Sequence, residues 1–463
     1  MNPYKKTKDY TLYLGDSWEV LDSLPENSVD AIVTDPPYEI GFMNKGWDNT
    51  GVAFNRITWE KTLRVLKPGG YLLAFNHSRT FHRMAVAIED AGYEIRDTIM
   101  WLYGSGFPKS HDISKAIDKA AGVQPVGVKE PTGGITGGNN TGATDKGWNN
   151  IENWYEMPPA TTEEAKQWEG WGTALKPAYE PIIMARKPIP STVADNVLTH
   201  GVGGINIDGC RVGTEKITNN INDFSNQHGN KWGNGEPIAK LGESVVYGRF
   251  PANVIHDGSE EVVQGFPNTV SAKRNPSQNK VTEYTNTYTP SQSDYREDNT
   301  YGDEGSASRF FYTAKAGKKD RDEGLHGFDY KDVELINRKE GSAGAMWNGE
   351  YKSGNAYAGA GAPKRNTHPT VKPTDLMQYL IRLIAPKGAT VLDLFMGSGS
   401  TGKAAMIENA ERDSQYHFIG IDTTADYLPI AEARIEFGLH YLAEKPKADG
   451  VVHQDQIDLF SLL

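Results

Sequence analysis

The sequence predicts an α/β fold, a mostly parallel, doubly wound sheet built from both ends of the chain with irregular sequence inserted between them. Three observations predict it. Strand-like and helix-like segments alternate from Thr11 to about Lys119, the signature of a parallel sheet covered by helices. The same alternation returns from Thr374 to Leu439. Between them, from about Ser191 to Asn366, the chain is rich in Gly, Asn, Ser and aromatic residues, with short strand-like pieces such as "GRFPANVIHD" and "SRFFYTAKA" but no sustained period, as expected of an inserted domain with long surface loops.

Taken in order, "YTLYLGD" reads as a strand ending in Gly15-Asp16, "SWEVLDSLP" as a short helix capped by Ser17, and "VDAIVT" as a buried strand. "ITWEKTLRVLKPGG" has helical spacing and stops at Gly69-Gly70, and "YLLAF" is the next strand. "YEIRDTIMWLY" and "EPIIMARKP" are further strands, and Ser110 reads as the start of a helix ending near Gly122. From about Ala121 to Ala174 the composition turns to Gly, Asn and Thr. After the insert come an amphipathic helix, "TDLMQYLIRLIAP", then strand, glycine turn and helix in "GATVLDLFMGSGSTGKAAMIENA", then strand, acid and helix in "HFIGIDTTADYLPIAEARIEFGL". The expected divisions are 1–190 and 366–440 for the two parts of the core, 191–365 for the insert and 441–463 for a tail.

With 463 residues, 38% of them hydrophobic, the chain can form two or three domains with a large core. No apolar run reaches the roughly 18 residues of a membrane span, and the start, "MNPYKKTKDYTLYLGD", lacks the apolar core of a signal peptide, so the expectation is a cytoplasmic protein. Cys210 is the only cysteine, which excludes an internal disulfide framework and a cysteine-based zinc site. The formal charge of −12 argues against a chain that coats nucleic acid by charge alone. It leaves room for a local basic cleft, for which Lys315, Lys318, Lys319 and Arg321, or Lys364 and Arg365, are candidates beside the alternative of solvated loops.

Two stretches carry chemistry. Gly397-Ser398-Gly399 follows an apolar strand and opens a helix, where glycines let the backbone approach a nucleotide-like ligand. Asp422 ends the next strand at about the 20-residue offset where an acid binds ribose hydroxyls, so the pair points to an adenosine-containing cofactor. The spacing does not fit a dinucleotide fingerprint, and there is no phosphate-loop lysine, which argues against NAD and ATP. The second stretch, Asp35-Pro36-Pro37-Tyr38, ends a buried strand with prolines that forbid further ladder pairing. An acid and a carbonyl held on a stiff loop can accept both N–H groups of an exocyclic amine and aim its lone pair, and a tyrosine offers a flat face to a base.

"DPPY" at 35–38, "FMGSGST" at 395–401 and "HPTVKP" at 368–373 together resemble the DNA amino-methyltransferases that use S-adenosylmethionine. Their order, with the tetrapeptide ahead of the glycine turn, resembles the permuted beta group, typified by adenine-N6 enzymes. The resemblance implies a Rossmann-like methyltransferase fold, double-stranded DNA as partner and a flipped target base. It implies that Asp35, Pro36, Pro37 and Tyr38 are catalytic. It also implies that Asp393, Phe395, Gly397, Ser398 and Gly399 line the cofactor, that Asp422 holds its ribose, that Asp16 approaches its adenine amino group, and that Thr370 and Lys372 close over its methionine end. Two positions depart from the pattern: many relatives have Glu where Asp422 stands and Pro where Leu394 stands. The initial Asp implies adenine N6, with cytosine N4 as the alternative, and the insert is the expected target-recognition region. A protein glutamine methyltransferase, with the opposite motif order, and a non-catalytic DNA-binding protein are the more distant readings. Phe310, Phe311 and Tyr312 read as core, and Cys210, without a preceding proline, as a small buried residue. In the tail, Gln456, Ile457, Leu459 and Phe460 of "QIDLF" resemble the peptide that holds the replicative sliding clamp. The oligomeric state stays open.

Overall fold

The computed structural model describes residues 2–41, 46–106, 110–123, 159–222, 240–271, 303–314, 317–329 and 365–444. The peptide at 456–460, Lys315 and Lys364 lie outside the described residues, as does the side chain of Lys318. The strands in chain order are β1 (Lys5–Lys6), β2 (Tyr10–Leu14), β3 (Val29–Thr34), β4 (Leu66–Phe75), β5 (Glu94–Leu102), β6 (Tyr179–Arg186), β7 (Val212–Asn222), β8 (Lys240–Arg249), β9 (Val254–His256), β10 (Asn268–Ser271), β11 (Asp303–Ser306), β12 (Tyr312–Thr313), β13 (Thr390–Asp393) and β14 (His417–Asp422). Ten of them form one sheet in the order β1-β2-β14-β13-β3-β4-β6-β5-β9-β12, while β7 with β8 and β10 with β11 are separate antiparallel pairs. Within the large sheet only β1 and β6 run against their neighbours.

The sheet is covered on both faces, which is why its central strands are continuously apolar. All six residues of β3 are buried. Ala31 and Val33 pack with Tyr71, Leu73 and Phe75 beneath the helices Thr374–Ile384 and Ser400–Arg412. Ile32 and Leu72 face the other way, toward the helices Ser17–Ser23, Arg56–Val65 and Phe81–Asp90.

Three local expectations are corrected. The first helix is capped by Asp16, whose carboxylate accepts from the Trp18 amide, and Ser17 sits buried in its first turn. The helix expected to stop at Gly69-Gly70 ends at Val65, and the chain is already extended from Leu66. A bulge accommodates this, since Leu66 pairs with Val29 but Tyr71 with Ala31. The helix after Ser110 is Ile113–Ala120 with Asp112 as its cap, while Ser110 Oγ accepts from the amides of Thr173 and Ala174.

The contacts divide the chain into Met1–Gly104 with Tyr179–Leu463, and Ser105–Ala178. The smaller unit joins the helices Ile113–Ala120 and Glu163–Lys166, with the Asp118 carboxylate accepting from the amides of Thr161 and Thr162 and from the Thr162 hydroxyl. Much of the sequence from 191 onward belongs to the larger unit. β9 pairs with β5 and β12 with β9, extending the main sheet, and Ile255 is fully buried. They are three and two residues long and lie within the strand-like pieces "GRFPANVIHD" and "SRFFYTAKA". Cys210 is buried, which pushes its thiol up to about 12. Tyr312 stacks on Tyr379 and Phe311 packs on Phe266. Among the described residues no helix is long and apolar enough to cross a membrane, and no cluster of side chains suits a metal ion.

Candidate active site

β13 and β3 lie side by side and parallel, yet the chain leaves them in opposite directions, from β13 to β14 and from β3 to β4. Loops at the carboxyl ends of such a pair diverge and open a crevice, the usual ligand position in an open α/β sheet. The glycine turn follows β13 and Asp35-Pro36-Pro37-Tyr38 follows β3, so the fold brings together two motifs more than 350 residues apart, as the 359-residue separation of Thr34 from Asp393 measures.

Asp393 ties the two loops. Its carboxylate accepts from Thr34 Oγ1 at 2.7 Å, Thr401 Oγ1 at 2.6 Å and the Phe395 amide at 3.1 Å. Burial pushes its pKa up to about 6, against the opposing pull of those three donors. It is a brace beneath the crevice, only 2% exposed.

The glycine turn is built for a left-handed backbone: Gly397 has φ of 54° and Gly399 of 75°. A side chain is excluded as well, because a Cβ at Gly397 would lie 2.7 Å from His368 Nε2, and one at Gly399 2.9 Å from the Ala431 Cα. Replacing Gly397 with alanine should therefore destabilise the protein by at least about 1–2 kcal/mol in urea unfolding, the cost of the left-handed conformation alone; an unchanged midpoint would mean the turn tolerates a side chain. The Asp422 carboxylate accepts from the amides of Gly397 at 2.8 Å and Thr424 at 2.7 Å, and burial raises its pKa. Ser398 points inward, its carbonyl and hydroxyl both accepting from Nη1 of the fully buried Arg434.

At the tetrapeptide, Asp35 Oδ2 accepts from Lys372 Nζ at 2.6 Å. Asp35 Oδ1 is buried and accepts no hydrogen bond among the described residues. Lys372 also donates to the Tyr38 hydroxyl at 3.0 Å, which donates in turn to Glu180 Oε2 at 2.9 Å; Lys372 Nζ lies 3.4 Å from that same oxygen. Burial alone would depress the ammonium, but Asp35 and Glu180 outweigh it and hold its pKa above that of an ordinary lysine. Burial, with the same two carboxylates, keeps the Tyr38 phenol protonated.

The remaining expected residues stand around these two loops. Lys372 reaches the tetrapeptide. Thr370 enters through its carbonyl, 3.0 Å from His368 Nδ1, and burial pulls the His368 pKa down to about 4. Phe395 is half-buried, Pro36 is buried, Pro37 is half-buried, and Asp16 is exposed at the end of β2. Arg321, one of the candidate basic residues, donates instead to the carbonyls of Asn366 and His368 and so braces this loop. Glu180 was missed by sequence reasoning. Its signal was an acid followed by proline, as in Asp35-Pro36, but at the start of a strand instead of its end.

A doubly wound sheet with a glycine turn and an acid at adjacent strand ends defines a Rossmann-like α/β fold with a crevice shaped for a nucleotide-like ligand. The chain belongs to the DNA methylase family, whose sequence pattern matches residues 29–433. It is 25% identical over 239 residues to the type II methyltransferase M.HindIII of Haemophilus influenzae, covering 42% of this chain and 64% of that protein. It is 32% identical over 117 residues to the type II methyltransferase M.HpaI of Haemophilus parainfluenzae, covering 24% of this chain and 37% of that protein. It is 35% identical over 78 residues to the DNA adenine methyltransferase YhdJ of Escherichia coli, covering 17% and 24%. The matches thus span less than two thirds of each relative's length.

Proposed function

We propose that the protein transfers a methyl group from S-adenosylmethionine to N6 of adenine in double-stranded DNA. The observation that carries this reading is the unpartnered, buried Oδ1 of Asp35 beside the glycine turn. An anionic oxygen without a donor is costly to bury, and a substrate N–H is the donor that the site lacks. The name of the Escherichia coli relative supports adenine, as does the initial Asp of the tetrapeptide.

The residues at the crevice fit the cofactor. Asp422 keeps acceptor lone pairs beyond the two backbone donors it holds, the turn bars a side chain at Gly397, and half-buried Phe395 offers an apolar surface. When bound, S-adenosylmethionine supplies an electrophilic methyl on a sulfonium. The chain's own part is to hold the amine. Asp35 Oδ1 accepts one N–H and the Pro36 carbonyl the other, which draws the nitrogen toward tetrahedral geometry. Tyr38 presents its ring to the extruded base, and stacking of about 1–3 kcal/mol per base offsets part of the few kcal/mol of unstacking. As the nitrogen gains the methyl it gains positive charge, which the Asp35 carboxylate faces, and the charge is discharged when the N–H held by Oδ1 gives up its proton through that carboxylate to water. Asp16 and Thr370 complete the cofactor side, and the described parts of 191–365 the recognition side.

Nucleoside mass spectrometry of DNA from a host expressing the protein should reveal N6-methyladenine. N4-methylcytosine in its place would move the assignment to cytosine, and neither product would overturn the reading.

A further inference from the structure

The geometry points to Glu180 as a positioning residue: it holds the Lys372 ammonium against Asp35 Oδ2 and thereby fixes Oδ1 as the oxygen that faces the substrate amine. This rests on the methyl-transfer reading of the site.

The fold explains how Glu180 gets there. β6 runs against β4 and β5, with Glu180 opposite Trp101 and Ile182 opposite Phe75. The start of an antiparallel strand lies at the same edge of the sheet as the ends of its parallel neighbours, so Glu180 arrives beside the carboxyl ends of β3 and β4. A lysine presents a compact point charge on a flexible stem and has no geometric preference of its own. Paired with Asp35 alone, it could swing and meet either carboxylate oxygen. With Glu180 Oε2 at 3.4 Å and the Tyr38 hydroxyl at 3.0 Å, its donors are spread over three fixed partners. The Phe75 ring, 5.0 Å from Nζ, closes another side. Glu180 fixes Tyr38 too, by accepting a hydrogen bond from its hydroxyl at 2.9 Å. The three charged groups sum to one net negative charge, which complements an amine that becomes cationic as it is methylated.

The groups that face Lys372 are Asp35 and Tyr38 from the loop after β3, Glu180 from β6, Tyr103 from the end of β5 and His368 from its own loop. Tyr103 is pushed up to about 12 by burial and Glu180, and His368 is neutral, so at neutral pH the ammonium is held by the two carboxylates. Loss of one of them leaves burial to depress it.

The test compares Glu180→Gln and Glu180→Asp with the unaltered protein in steady-state methylation of DNA across pH, and in an NMR titration of 13C-labelled lysine with Lys372→Arg as the assignment control. For Glu180→Gln we expect kcat to fall about 100-fold, the scale of a small misplacement at a reacting centre, with KM for DNA nearly unchanged. Its alkaline limb should move down by roughly one pH unit, and the Lys372 resonance should titrate lower by a similar amount. Glu180→Asp should restore most of kcat. A loss of kcat that is uniform across pH, with the Lys372 titration unmoved, would overturn the inference, as would unaltered kcat in Glu180→Gln. Absence of any DNA methylation by the unaltered protein would defeat the functional reading instead. The lysine titration would then still decide whether Glu180 governs Lys372.

Discussion

Asp35→Ala is expected to lower the rate of methyl transfer at least about 1000-fold, equivalent to about 4 kcal/mol of transition-state stabilisation. In the proposed mechanism the substitution removes the acceptor for one amine N–H, and it leaves Lys372 with Glu180 as its remaining carboxylate partner. Orientation of a reacting group is worth up to roughly 7–11 kcal/mol, so a three-decade loss is well within what one misplaced amine explains. Asp35→Asn is a sharper probe. Its amide keeps one oxygen, and either Lys372 or the substrate amine then faces an NH2 group, so donor meets donor. Both variants should retain cofactor binding by calorimetry, because the glycine turn and Asp422 are untouched. A loss of less than tenfold in initial-rate assays on DNA would remove Asp35 from the mechanism.

Asp320→Ala is expected to have the largest effect on stability, about 3–5 kcal/mol by urea or thermal unfolding, the scale on which removing one partner of a buried ion pair acts. Asp320 lies in the segment Lys318–Asp322, and its carboxylate meets Lys403 Nζ at 2.6 Å, Arg434 Nη2 at 3.8 Å and the Thr374 amide at 2.8 Å. Lys403 and Arg434 are both fully buried, and after the substitution Lys403 keeps only Glu323 at 2.9 Å among the carboxylates paired with it. Burial alone would raise the Asp320 pKa, but Lys403 and Arg434 outweigh it and hold it below the usual aspartate value. An acid whose pKa is depressed by folding contributes stability above its unfolded pKa and loses it as pH falls through the folded value. The difference between the natural protein and Asp320→Ala should therefore be full at neutral pH and shrink below about pH 4. A pH-independent difference would assign the effect to packing.

What the sequence disclosed and what it hid follow from the range of each interaction. The tetrapeptide was legible because two prolines at a strand end contradict the sheet, and that contradiction is local. Asp422 was legible because an apolar strand that terminates in an acid is unusual over six residues. Arg434 was not. Within the helix Leu428–Leu439 it reads as one solvated charge, and only the tertiary structure turns it inward beneath Ser398 and Ser400. Lys372 was legible as a motif residue, but its contact with Asp35 crosses 337 residues of sequence, and no periodicity reports such a pairing. The short strands β9 and β12 were legible as strand-like pieces, but their place was not: they are recruited to the sheet edge beyond β5, a pairing that no local pattern reports.

The interleaving of β2, β14, β13 and β3 has a consequence for how the protein comes into being on the ribosome. The first 34 residues supply β2 and β3, which are not neighbours; two strands from residues 390–422 must slide between them. Until those residues emerge, β2 and β3 have a space of roughly 14 Å to span, three strand intervals. Contacts this distant in sequence form slowly. A chain that has not yet included residues 390–422 therefore carries the Asp35 loop without the turn that follows β13, so the two halves of the crevice come together only late in synthesis.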